Sequence, residues 1–206
     1  MLKKFVGILL LSSLSAGIFA SSAQADAAKP GQSMTHIKTE KGIASTLEAA
    51  GVVLYVQGGA TAAVMGDSIS APDSQYVLHI PVTGTKTGVQ HVGSNIAIFN
   101  TTNNSQVLIK NPLIDLKNAV INGVVPQIGT QAIALFTITN AKDLKAKVTN
   151  DRKAKLRTTS YEGVKLSLAP GVAATLVSAL GLPAGALPDA LAFASASVSL
   201  YSPIKK

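Results

Sequence analysis

The sequence predicts a mainly β protein, an antiparallel β-sandwich or open barrel with a short N-terminal helix and one packed C-terminal helix. Three observations predict it. Short runs rich in Val, Ile, Leu and Thr recur between residues 52 and 139, each bounded by Gly, Asn or Pro. That spacing belongs to antiparallel strands, not to strand–helix–strand units. Only one segment, 170–181, combines helical periodicity with clear start and stop residues. Cys is absent, so the fold must hold by packing, without disulfides.

Taken in order, residues 45–48 (Ser-Thr-Leu-Glu) have capping-box spacing and Gly51 supplies a stop, which predicts a helix over 45–50. Residues 52–56 form a strand by β-branched and aromatic content. Gly58-Gly59 breaks it, and 60–65 is ambiguous between helix and strand. An apolar strand at 76–82 ends in Thr83-Gly84, and strands 96–100 and 107–110 flank hairpin chemistry at 101–105. Strands at 113–116, 120–125 and 132–139 follow, the last with alternating faces. In the C-terminal helix Pro170 suits the first turn, Val172, Ala173, Leu176, Val177 and Leu180 share a face, and Gly181 ends it. Residues 190–201 alternate Ala, Val and Leu with Ser, a closing strand with a small-residue face.

The N-terminal segment predicts export. Lys3 and Lys4 precede an apolar run over 5–20, and Ala23-Gln24-Ala25 offers a signal-peptidase site. Residues 1–25 are thus read as a cleaved signal peptide and 26–43 as a flexible leader. Residues 44–206 are read as a single β-rich domain. The expected location is periplasmic or extracellular, with no transmembrane span in the mature chain.

The formal net charge of +8 is uneven. Lys142, Lys145, Lys147, Arg152, Lys153, Lys155 and Arg157 face only Asp143 and Asp151 in the same stretch. This segment is a candidate contact for an anionic surface, a glycan or a matrix component. The plain alternative is a solvated sheet edge. It has no aromatic residue before Tyr161, which argues against single-stranded nucleic acid. Lys142, Lys145 and Lys147 nearly alternate, consistent with a basic strand face.

Two motifs raise catalysis or metal binding. Gly66-Asp67-Ser68 after an apolar run resembles the first block of the GDSL hydrolases, which would make Ser68 a nucleophile. Such a serine needs a base, yet no histidine follows His91 where that family places it. The string reads better as a turn. His36, His79 and His91 are the only histidines. Imidazole binds Zn, Cu or haem iron, and tyrosinate can ligate haem iron. The spacing of His79 and His91 is compatible with facing positions on adjacent strands, with Tyr76 nearby. The plain reading makes His79 a strand residue and His91 a turn or edge residue.

The series Gly51–strand, Ile80-Pro81-Val82-Thr83-Gly84, His91-Val92-Gly93, hairpin and residues 111–125 (NPLIDLKNAVINGVV) resembles HtaA-like haem-binding repeats. The resemblance covers residues 44–139. It implies a secreted β-rich module in which His91, with Tyr55 or Tyr76, would flank haem. The candidate cofactor residues are therefore His91, His79 and Tyr76, with the cofactor itself unknown and no metal ligand set assigned. The combined expectation is an exported, non-catalytic binding or structural protein. A haem or metal carrier is one alternative and a Ser68 hydrolase the other.

Overall fold

The computed structural model describes residues 32–204. The segment expected as a signal peptide, and the part of the expected leader before residue 32, lie outside the described residues. The elements run β1 (Met34–Thr39), α1 (Ile43–Ala49), β2 (Val52–Gln57), β3 (Thr61–Met65), β4 (Gln75–Pro81), β5 (Val89–Gln90) and β6 (Asn95–Asn100). They continue with β7 (Gln106–Asp115), β8 (Val120–Val124), β9 (Ala132–Ile138), a 3₁₀ turn at Ala141–Asp143, β10 (Lys147–Asp151), β11 (Leu156–Leu168), α2 (Val172–Leu180) and β12 (Ala192–Pro203). No helix among the described residues is long and apolar enough to cross a membrane.

Every strand pairing is antiparallel. The strands make one 12-stranded sheet in the order β2-β6-β7-β8-β9-β11-β12-β1-β4-β3, with β5 beside β7 and β10 beside β11. The two end strands, β2 and β3, are consecutive in sequence, so the sheet curls into a nearly closed barrel. The seam between them is bridged by Tyr76, whose hydroxyl accepts the Leu54 N–H at 3.3 Å. The turn joining β2 to β3 requires glycine: Gly58 has φ 77°, and a Cβ there would lie 2.0 Å from the Gly93 carbonyl oxygen.

Alternation along each strand sends one set of side chains inward. Thr35, Ile37, Leu78, Ile80, Ile96, Ile98, Ile109, Ile114, Ile121, Leu135 and Leu166 meet there in a single core. One end of the barrel is plugged by α2. Gly171 (φ 78°) precedes it and Gly181 (φ 63°) closes it. Leu176 and Leu180 pack with Leu54, Ile98, Leu168 and Phe193. The helix's last carbonyl, on Leu180, accepts from Asn100, Asn103 and Ser105 of the β6–β7 turn, which satisfies a group the helix itself cannot.

The fold class is the one expected, with local corrections. Residues 34–43 are not a loose leader: β1 lies between β12 and β4 with Thr35 and Thr39 fully buried. Helix α1 starts at Ile43 after Gly42 (φ 79°), and Ser45 bonds back to the Gly42 carbonyl, so no capping box forms at 45–48. Of the ambiguous residues 60–65, Thr61–Met65 resolve as strand. The two strands expected at 107–110 and 113–116 are one strand, β7 (Gln106–Asp115), with a bulge between Lys110 and Leu113. Pro170 stands before α2 and outside its first turn.

Candidate functional site

His91 follows β5 and points into the barrel with 1% of its surface exposed. The β7 bulge makes its site: Asn111 takes φ 50°, and the Pro112 carbonyl turns inward. That carbonyl accepts both the His91 backbone N–H at 3.1 Å and ring Nδ1 at 2.9 Å. A carbonyl can only accept, so Nδ1 carries the ring proton, and Nε2 accepts from the Thr35 hydroxyl at 2.8 Å. Burial pushes the His91 pKa below its ordinary value, against the opposing pull of the Pro112 bond. The ring is therefore a neutral, doubly bonded core group.

His79 belongs to the other face of the sheet. It alternates with the inward Leu78 and Ile80, and stands directly opposite His36 on β1. The two rings meet edge to face at a centroid distance of 4.4 Å, and burial lowers the pKa of His36. Ser197 and Thr61 flank this pair on β12 and β3. Tyr76 points inward at the seam, where burial raises its hydroxyl pKa. His79 and His91 thus lie on opposite sides of one sheet and share no site. Tyr76 is committed to Leu54.

The interior is a packed core. The cavity that His91 and Thr35 help to line is about 30 Å³, far below the ~300 Å³ of small-ligand pockets. Among the described residues no three or more of His, Asp or Glu converge to hold a metal ion. Ser68 is exposed in the loop after β3. The start of that loop is level with Gln75, whereas both His79 and His36 are level with Thr61. Four residues at about 3.3 Å each put roughly 13 Å between those levels. The His91–Thr35 pair lies at the histidines' end too, since Thr35 pairs with Ile80.

The basic segment forms a flap. The 3₁₀ turn at 141–143 carries Lys142, and an extended stretch with Lys145 leads into β10. Strand β10 is exposed at all five positions and pairs only with the first half of β11. The second half of β11 pairs with β9, and the register shift between Tyr161 and Val164 separates the two. All of the predicted cations, Lys142, Lys145, Lys147, Arg152, Lys153, Lys155 and Arg157, are exposed. Only Lys147 lies on β10, so the near-alternation of Lys142, Lys145 and Lys147 is not a strand face.

At the end of the barrel away from α2 lies an open groove of about 410 Å³. Its floor and walls are Val89, Ile114, Leu116, Tyr161 and Leu200, and Thr85, Lys86, Thr87, Asp115 and Lys117 complete it. Asp115 accepts from the Asn118 N–H at 3.0 Å and from its side-chain amide at 2.7 Å; these bonds, with Lys117, lower its pKa. Gly88 (φ 132°) brings the β4–β5 loop against β7, where a Cβ would stand 2.6 Å from the Ile114 carbonyl oxygen.

Comparison of the chain with family models, curated proteins and solved structures found no match.

The groove went unseen in the sequence because four separate segments build it, and none carries a motif. Its single local signal is the pair of lysines in its turns, Lys86 in TGTKTG and Lys117, two residues after Asp115, in DLKNA. His36, placed by sequence in the leader, turns out to be the ring that meets His79.

Proposed function

We propose that the protein is an exported, non-catalytic binding protein that attaches to polyanionic surfaces of the envelope or extracellular space through the β10–β11 flap. The observation that carries this reading is the flap itself, a projecting hairpin with every cation in solvent and little anionic compensation. Export is supported by the N-terminal signal pattern. A non-catalytic role is consistent with the fully bonded His91 and with the distance between Ser68 and the histidines.

Exposed cations act together over a Debye length of about 10 Å at 0.1 M salt. Each contributes about 1 kcal/mol beside an anionic membrane surface. Removing Lys145, Lys147, Lys153 and Lys155 should therefore weaken attachment by about a hundredfold or more. The test is co-sedimentation with vesicles containing anionic lipid, alongside elution from immobilised heparin. Wild type should bind one or both at low salt and release steeply as salt rises, and the arm that binds identifies lipid or glycan. Unchanged binding by the variant with all four lysines changed to glutamate would overturn the proposal.

A further inference from the structure

The groove at the open end has a chemistry that the flap's surface role does not require. Its base is apolar, with Val89 and Ile114 buried; Ile114 also lines the core cavity. Tyr161, Leu116 and Leu200 form half-buried walls. Above them stand exposed Lys86 and Lys117 with Thr85 and Thr87. Asp115 offsets one of the two lysine charges, leaving a net excess of one cation over an apolar floor.

The strand register extends this arrangement outward. Thr159 pairs with Leu200 and with Val148, so the three lie abreast on the face that carries Tyr161. The next inward-facing row is Asn150, Arg157 and Ser202. Val148 is 44% exposed although it is apolar. One face thus passes from the apolar mouth, through an uncovered valine, to a cation. The volume falls within the ~300–1,000 Å³ of small-molecule sites, and the lining combines an apolar body with a few placed charges.

We propose that this groove binds a monoacyl anion, its chain on Val89, Ile114, Leu116, Tyr161 and Leu200 and its carboxylate or phosphate head at Lys86 and Lys117. A neutral chain would gain nothing from the two exposed lysines, and a small hydrophilic anion would gain nothing from the apolar lining. The inference is independent of the flap's attachment to surfaces.

The test titrates the full protein calorimetrically with sodium dodecanoate below its micelle concentration, and in a second arm with a monoacyl phosphatidic acid. Saturable one-to-one binding of either supports the site, the tighter ligand naming the head group; failure of both overturns it. Lys86→Glu with Lys117→Glu should weaken binding about tenfold or more, because charge-assisted contacts are the strong ones. Both side chains are exposed, so the fold should survive. Dodecanol should bind at least as much more weakly. Asp115→Asn should tighten binding, and Thr87→Trp should block it by filling the groove. Equal affinity of the double lysine variant, or of dodecanol, would overturn the assignment. Lys153→Glu with Lys155→Glu should leave dodecanoate binding within about twofold while weakening attachment to vesicles or heparin, so the two proposals fail separately.

Discussion

Replacing Thr35 with valine deletes one hydroxyl and keeps the shape of the side chain. Thr35 is fully buried on β1, a position that suits a β-branched residue, and its Oγ1 lies 2.8 Å from His91 Nε2. In Thr35→Val that nitrogen keeps its lone pair and loses its donor, beside a small cavity of about 30 Å³ lined almost wholly by apolar side chains. Leaving a buried acceptor unsatisfied costs about 1–3 kcal/mol, and burying a methyl in place of the hydroxyl returns up to ~0.8 kcal/mol. The expected net loss is therefore between about 0.2 and 3 kcal/mol, read as a lower urea midpoint with an unchanged slope. His91→Leu orphans the Thr35 hydroxyl, which loses its acceptor, and leaves the Pro112 carbonyl with only the backbone N–H of residue 91, so it should cost at least as much. The double variant removes donor and acceptor together and leaves the Pro112 carbonyl its backbone bond, so its loss should be smaller than the sum of the singles by about 1 kcal/mol or more. Strict additivity, or a Thr35→Val protein as stable as wild type, would refute the bonded neutral ring and the reading of His91 as a structural group.

Two further outcomes follow from the same geometry. Burial lowers the pKa values of His91 and His36. From about pH 6.5 downward the unfolded chain then binds protons that the folded chain resists, so stability is full above that pH and falls as pH drops. The steepest contribution is about 1.4 kcal/mol per pH unit per histidine, and His91→Gln should remove one histidine's share of the slope in urea titrations between pH 7 and 5; an identical slope would contradict the neutral buried ring. Gly88→Ala must place a Cβ at φ 132° against the Ile114 carbonyl. It should destabilise by about 1–3 kcal/mol and distort the groove, whereas Gly129→Ala, with open space around it, should cost far less by the same thermal or urea assay.

The fold class was legible because it rests on many short strands and their turns, each carrying its own local chemistry. β1 escaped because two of its inward residues are threonines: Thr35 and Thr39 are buried for what they bond, His91 and the Tyr76 N–H, and not for apolarity. The alternation was present but had no hydrophobic face to reveal it. Asn111-Pro112 reads as a break between strands, and only the register shows it as a bulge within one. The first half of β11 hid behind the charges that precede it. The histidines illustrate a different limit. Their spacing fits adjacent strands, but whether two side chains share a face depends on the parity of each strand's position, and the loop between β4 and His91 makes that parity unreadable. His79 consequently stands outside and His91 inside.

Where the fold leaves room decides where a ligand can go. A barrel that carries cargo needs an interior wide enough to hold it, and here Ile, Leu and Phe side chains fill the interior down to about 30 Å³, with α2 closing one end. The His91–Thr35–Pro112 network satisfies its own polar groups, so it offers an incoming molecule no unmet bond in exchange for the packing it would displace. The open end differs on both counts. Its groove is about 410 Å³, its lysines stand in solvent, and its wall runs directly onto the basic flap. Substitutions within the core should therefore act on stability first, and substitutions at the mouth on binding first. A core variant such as Thr35→Val that kept its stability yet lost dodecanoate affinity would contradict this division.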